Sequence, residues 1–140
     1  MAYASRTEVP VDKTRMEIER TLTRYGAKSF AYFGSDERAV IVFEASDRRI
    51  RFDLPLPPLG KGGSDQHRRA RWRGLLLCIK AKLEAVEAGI ETFEEAFLAH
   101  VMMPDGATVG EHAIHRIAAA YKGEAMPSLL PPPKKEPAHD

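Results

Sequence analysis

The chain has a single cysteine, Cys78, among its 140 residues. One thiol excludes an internal disulfide and a cysteine cage for zinc, and it points to a reducing compartment. No apolar run approaches the roughly 18 residues of a spanning helix, so no membrane partner is expected. The opening stretch MAYASRTEVPVDK has no apolar core of the signal-peptide kind, which predicts a protein that is not exported. An excess of one charge is lacking too: 21 basic and 20 acidic residues leave a formal net charge of +1. What is present is 44% hydrophobic and 29% charged residues. That balance suits one soluble globular domain and excludes a wholly disordered chain.

Residues 1–11 read as a loose polar arm. Asp12 stands where a helix N-cap belongs, and Gly26 where a helix ends in the left-handed conformation. Between them Ile18, Leu22 and Tyr25 fall at i, i+4 and i+7, which predicts an amphipathic helix with one buried stripe. From Ser29 to Leu54 the period changes to two. Phe30 and Tyr32 alternate with Ala31 and Phe33, Ala39 to Phe43 is a β-branched run, and Ile50, Phe52 and Leu54 alternate with Arg49, Arg51 and Asp53. Gly34-Ser35-Asp36 and Ser46-Asp47 supply turns short enough to require antiparallel neighbours, so these segments form a meander with one packed and one wet face. Pro55, Pro57 and Pro58 end it.

After the LGKGGS connection (residues 59–64), a long helix is predicted over 65–88. Trp72, Leu75, Leu76, Ile79, Leu83 and Val86 there lie at i, i+3, i+4, i+7, i+11 and i+14. Gly89 closes it. Thr92 and Glu95 have capping-box spacing for a short helix that buries Phe93, Phe97, Leu98 and Val101. Pro104-Asp105-Gly106 is a turn, and 109–121 a further helix with Ile114, Ile117 and Tyr121 inward. From Gly123 the chain runs through Leu129, Leu130 and three prolines to a polar end, the composition of an extended or disordered tail. The expected fold is α+β: an N-terminal helix, a three-stranded antiparallel meander, then a long helix and two shorter helices packed on one sheet face. Residues 12–122 form the single domain and 123–140 the Pro-rich tail.

Three stretches, VDKTRMEIERTLTRYGAKSFAY, RWRGLLLCIKAKLEAVEAGIETFEEAFLAHVMMPDGATVGE and MPSLLP, together cover most of the chain. They resemble a family of small proteins encoded in bacteriophage and prophage genomes and without an assigned function. The most specific parts are Lys80 to Phe97 and the Met103-Pro104-Asp105-Gly106 turn. Relatives carry a longer polar connection between the third strand and the long helix, cut down here to LGKGGS. The resemblance implies a phage-derived protein working in the bacterial cytoplasm, and it brings no catalytic residues with it.

The densest chemical signal is His67-Arg68-Arg69-Ala70-Arg71-Trp72-Arg73. Arginine forks match phosphate geometry, and a helix N-terminus adds partial positive charge. Arg49 and Arg51 on the wet sheet face extend the patch in this reading, whereas Glu84, Glu87, Glu91, Glu94 and Glu95 all lie beyond it, giving a basic half and an acidic half. The bland alternative is a solvated helix face with Arg68 and Trp72 covering the core edge. The α-β-β-β-α order also invites comparison with the double-stranded RNA-binding domain, but the lysine cluster of that module is absent and topology alone is weak evidence.

Other motifs weigh less. Gly60-Lys61-Gly62-Gly63-Ser64 is not a Walker A loop, because its lysine precedes the glycine pair. His112 and His115, with Glu111 adjacent and His100 elsewhere, lack the H-E-x-x-H pattern and a third ligand, so no metal is expected. Cys78 in LLLCIK reads as a small core filler. Glu44, Asp47 and Asp53 read as turn and surface carboxylates rather than a two-metal site. No cofactor is implied. The sequence thus points to a non-enzymatic phage accessory protein that binds nucleic acid through Arg49, Arg51, Arg68, Arg69, Arg71, Trp72 and Arg73. DNA is the expected partner, with single strand favoured because Trp72, Tyr32 or Phe33 can stack bases. The alternative is a module that binds or inhibits a phage or host protein through the acidic second half or the Pro-rich tail, whose preformed polyproline segment suits a partner groove. A homo-oligomer fits either reading.

Overall fold

In the computed structural model the described residues are 7–57, 64–123 and 126–132, so the arm before Thr7, most of the LGKGGS connection and the end of the tail lie outside them. The chain is α+β, with a helix, a three-stranded antiparallel sheet and then helices.

Helix α1 spans Val11–Arg24. Its N-cap is Pro10, whose carbonyl accepts the Thr14 N–H, and Asp12 falls inside the first turn rather than at the cap. The carboxylate there still complements the helix dipole. Thr14, Ile18, Thr21 and Leu22 are buried, while Tyr25 is 42% exposed. Tyr25 leaves the expected stripe because the helix has ended. Ala27 N–H bonds Leu22 O and Gly26 N–H bonds Thr23 O around a left-handed Gly26, so the chain turns away.

Strands β1 (Lys28–Gly34), β2 (Arg38–Ala45) and β3 (Arg48–Pro55) pair antiparallel in that order. Ser46 and Asp47 both have positive φ, the condition for a two-residue hairpin turn whose twist matches the strands. Ala39, Ile41, Phe43 and Ala45 of β2 and Ile50, Phe52 and Leu54 of β3 are buried on one face. The other face carries Phe33–Val40–Asp53 abreast, then Ala31–Val42–Arg51, then Glu44–Arg49.

Helix α2 (Ser64–Glu87) lays Trp72, Leu75, Leu76, Ile79 and Leu83 into the core with Val86 at its edge, as the period predicts. Cys78 is exposed instead of filling the core, since it lies on the flank of the helix beside Gly74 and Leu75, off the line of Ile79 and Leu83. The Thr92–Glu95 capping box forms and opens α3 (Phe93–Phe97). Phe97 meets Phe43 and Phe52 edge-on, at centroid distances of 6.2 Å and near-perpendicular planes. Such pairs add about 0.5–1.5 kcal/mol beyond area burial.

A 3-10 turn, Leu98–His100, follows, with Leu98 49% exposed rather than buried. Val101–Met102 then bonds the free edge of β3 through Met102 N–H to Arg49 O (2.8 Å). Helix α4 (Val109–Tyr121) starts at a second capping box, Thr108–Glu111. It seats Gly110 and Ala113 and leaves Ile114, Ile117 and Tyr121 exposed, contrary to their inward expectation. The close approach is confined to the first turn. A Cβ on Gly110 would stand 2.9 Å from the Ala99 carbonyl oxygen, so the helix docks by its start, and Ile114, Ile117 and Tyr121, which continue the line of Gly110, are exposed where the helix runs on past Ala99. Residues 126–132 are neither helix nor strand, and Arg116 donates to Ser128 O beside them.

Candidate nucleic-acid interface

The first turns of α2 lie beside the β1–β2 turn and the start of α1. Arg68 donates to the Asp36 carbonyl, and Gln66 donates to Thr7 O at 2.6 Å. Arg69 donates to Gln66 Oε1 at 2.7 Å. Both arginines therefore bond neutral acceptors, and neither forms an ion pair among the described residues. Among the described residues Arg73 alone in the group meets a carboxylate, Glu17 of α1 at 3.1 Å, with both side chains about a quarter exposed. Arg71 is exposed and has no hydrogen bond or ion pair among the described residues. Cations in the opening turns oppose the helix dipole by about 0.3–1 kcal/mol each at low ionic strength. Asp65 offsets only part of this.

Two cations that sequence reasoning missed join this surface. Lys13 and Arg20 of α1 are exposed and sit four residues before and three after Glu17, on the face of α1 that reaches Arg73. The outer side of the α1–α2 layer thus gathers Lys13, Arg20, Arg69 and Arg73 near Glu17, with Asp65 one turn before Arg69 and with Arg68 and Arg71 toward the sheet side. The signal was available in the spacing around Glu17, but only helix pairing reveals which α1 face meets α2.

Arg49 and Arg51 do not extend this patch. Strand alternation places them on the open sheet face, with the core between them and α2. Arg49 pairs with Glu44 at 3.4 Å. Arg51 is mostly buried, its side chain 17% exposed. It bonds Gly106 O at 2.8 Å, Asp53 at 3.4 Å and the Glu111 carboxylate. The Glu111 carboxyl is held below its ordinary value first by the Thr108 N–H and also by Arg51, with desolvation opposing. Arg51 is thereby a tie between the sheet and the start of α4.

The expected base-stacking aromatics separate in the same way. Trp72 is 5% exposed, so its indole belongs to the core. Tyr32 leans on the core side, its hydroxyl 3.4 Å from Glu19 and its pKa pushed up to about 12 by burial and that carboxylate. Phe33 is 62% exposed on the open face of the sheet, three residues before Asp36, whose carbonyl accepts from Arg68.

Among the described residues no group of three or more histidine, cysteine or acidic side chains converges on a metal position. His112 instead pairs with Asp105 at 2.8 Å. His115 is exposed, and Glu44 and Asp53 pair with arginines. No helix among the described residues is long and apolar enough to cross a membrane. Comparison with protein-family models, curated proteins and solved structures finds no match to the chain.

Proposed function

We propose that the protein is a non-enzymatic, phage-derived accessory factor of the bacterial cytoplasm that holds nucleic acid by its phosphate backbone. DNA is the partner on this reading. The observation that carries it is the state of Arg68, Arg69 and Arg71: three guanidinium groups within two turns, none paired with a carboxylate among the described residues. Lys13 and Arg20 widen the surface across α1. With Trp72 inside the core and Phe33 on the other sheet face, none of the expected stacking aromatics stands among these arginines, so single and double strands are held through the same phosphate contacts and the single-strand preference falls away.

Fluorescence anisotropy with labelled single- and double-stranded oligonucleotides tests this. The wild type is expected to bind both at low salt. The triple variant Arg68→Glu/Arg69→Glu/Arg71→Glu is expected to lose binding while keeping its circular dichroism. Unchanged binding by the variant, or no binding by the wild type at about 50 mM salt, overturns the reading. A second reading, a protein-interaction module, draws on one separate observation, the uncovered apolar stripe of α4.

A further inference from the structure

Ile114, Ile117 and Tyr121 stand at i, i+3 and i+7 of α4 and are 68%, 42% and 90% exposed. Apolar side chains at that spacing form the stripe a helix normally buries, and a contiguous exposed stripe marks an interface. The helix carrying it is well formed. Its capping box fixes one end, and the Lys122 N–H closes onto the last turn at the other. Leu98 lies nearby, because Gly110 packs on its neighbour Ala99.

The flanking charges identify what covers the stripe. At 100° per residue, Glu111 and Lys122 project from the same flank at opposite ends of the helix. A second copy lying antiparallel, related by a two-fold axis near Ile117, brings Ile114 against the other copy's Tyr121 and Ile117 against itself. Such a two-fold keeps each flank on its own side, so Glu111 of each copy faces Lys122 of the other. Both internal bonds of the Glu111 side chain use Oε1, which leaves Oε2 for that lysine. Lys122 is exposed and makes no side-chain bond among the described residues. The surface is self-complementary in shape and in charge, and charge complementarity fixes register.

We infer that α4 is the homodimer face of this protein, paired antiparallel with α4 of a second copy. Sedimentation velocity of the full chain from low to high micromolar concentration tests it. The wild type is expected to pass from monomer to dimer mass over that range. Ile114→Glu/Ile117→Glu should stay monomeric with unchanged circular dichroism, both positions being exposed. Lys122→Glu, which leaves the capping box intact, should move association to at least roughly tenfold higher concentration by setting two carboxylates against each other. A wild type that remains monomeric at the highest concentration overturns the proposal, including the case where another protein takes the stripe. A dimer that survives Ile114→Glu/Ile117→Glu, or is indifferent to Lys122→Glu, overturns it as well.

Discussion

Leu76 has no exposed surface and lies in the same buried cluster as Phe43 and Phe52. Truncating it removes the transfer energy of the lost carbons and leaves a cavity, so Leu76→Ala should lower stability by about 2–5 kcal/mol in urea unfolding. Loss of less than about 1 kcal/mol would mean that this face of α2 is not packed. His100 offers a pH test at the same scale. Its ring stacks on Phe52 at 4.0 Å, and burial first, then Lys82, holds the imidazole below its ordinary value, against the Arg51 backbone and Asp53. A depressed histidine favours the neutral form in the fold. The stability it contributes is complete above the unfolded value near 6.5 and is lost as pH falls through the folded one. Wild-type stability should therefore decline between about pH 7 and pH 5, and His100→Phe, which stacks but cannot charge, should flatten that decline. The lowered carboxyls of Asp105 and Glu111 titrate below this window and do not confuse it. An identical slope in both proteins would contradict the assignment.

At the scale of elements, Gly110 decides how α4 sits. A methyl group there meets backbone, the Ala99 carbonyl oxygen at 2.9 Å, and not a side chain that can swing aside. Gly110→Ala should thus destabilise by about 1–3 kcal/mol despite the better helix propensity of alanine, whereas Gly74→Ala, with open space around it, should not. Equal thermal shifts for the two would show that α4 is not docked by its small residues. This docking also explains what the sequence can and cannot reveal. The α2 stripe from Trp72 to Leu83, the β alternation around Phe52 and the two helix-closing glycines, Gly26 and Gly89, are legible because each is a local periodicity or a local backbone requirement. The stripe of α4 has the same periodicity, yet periodicity states only that a face suits burial, not which partner buries it. Tyr25 and Cys78 mislead for a related reason: whether a helix has ended, or which way it is rolled, is set by neighbours distant in sequence.

For the whole molecule, a net charge of +1 conceals a spatial division. The basic segment and its α1 companions occupy the helical side, while Arg49 and Arg51 are paired on the open sheet face with Glu44, Asp53 and Glu111. Strand alternation with helices on one sheet face already implies that division, yet the arginine-rich composition of both segments suggests one continuous patch. The division also makes the proposed function separable from simple electrostatics. The most direct measurement is the slope of log binding constant against log salt for a DNA oligonucleotide, taken for the wild type, for Arg68→Glu/Arg69→Glu/Arg71→Glu and for Arg49→Glu. Each phosphate contact contributes roughly 0.7–0.9 to the slope. The wild type and Arg49→Glu should share a steep slope, and the triple variant at the start of α2 should show little residual binding and a flat one. A triple variant with the wild-type slope, or an Arg49→Glu protein that loses as much as the triple variant, would contradict phosphate binding at the α1–α2 surface.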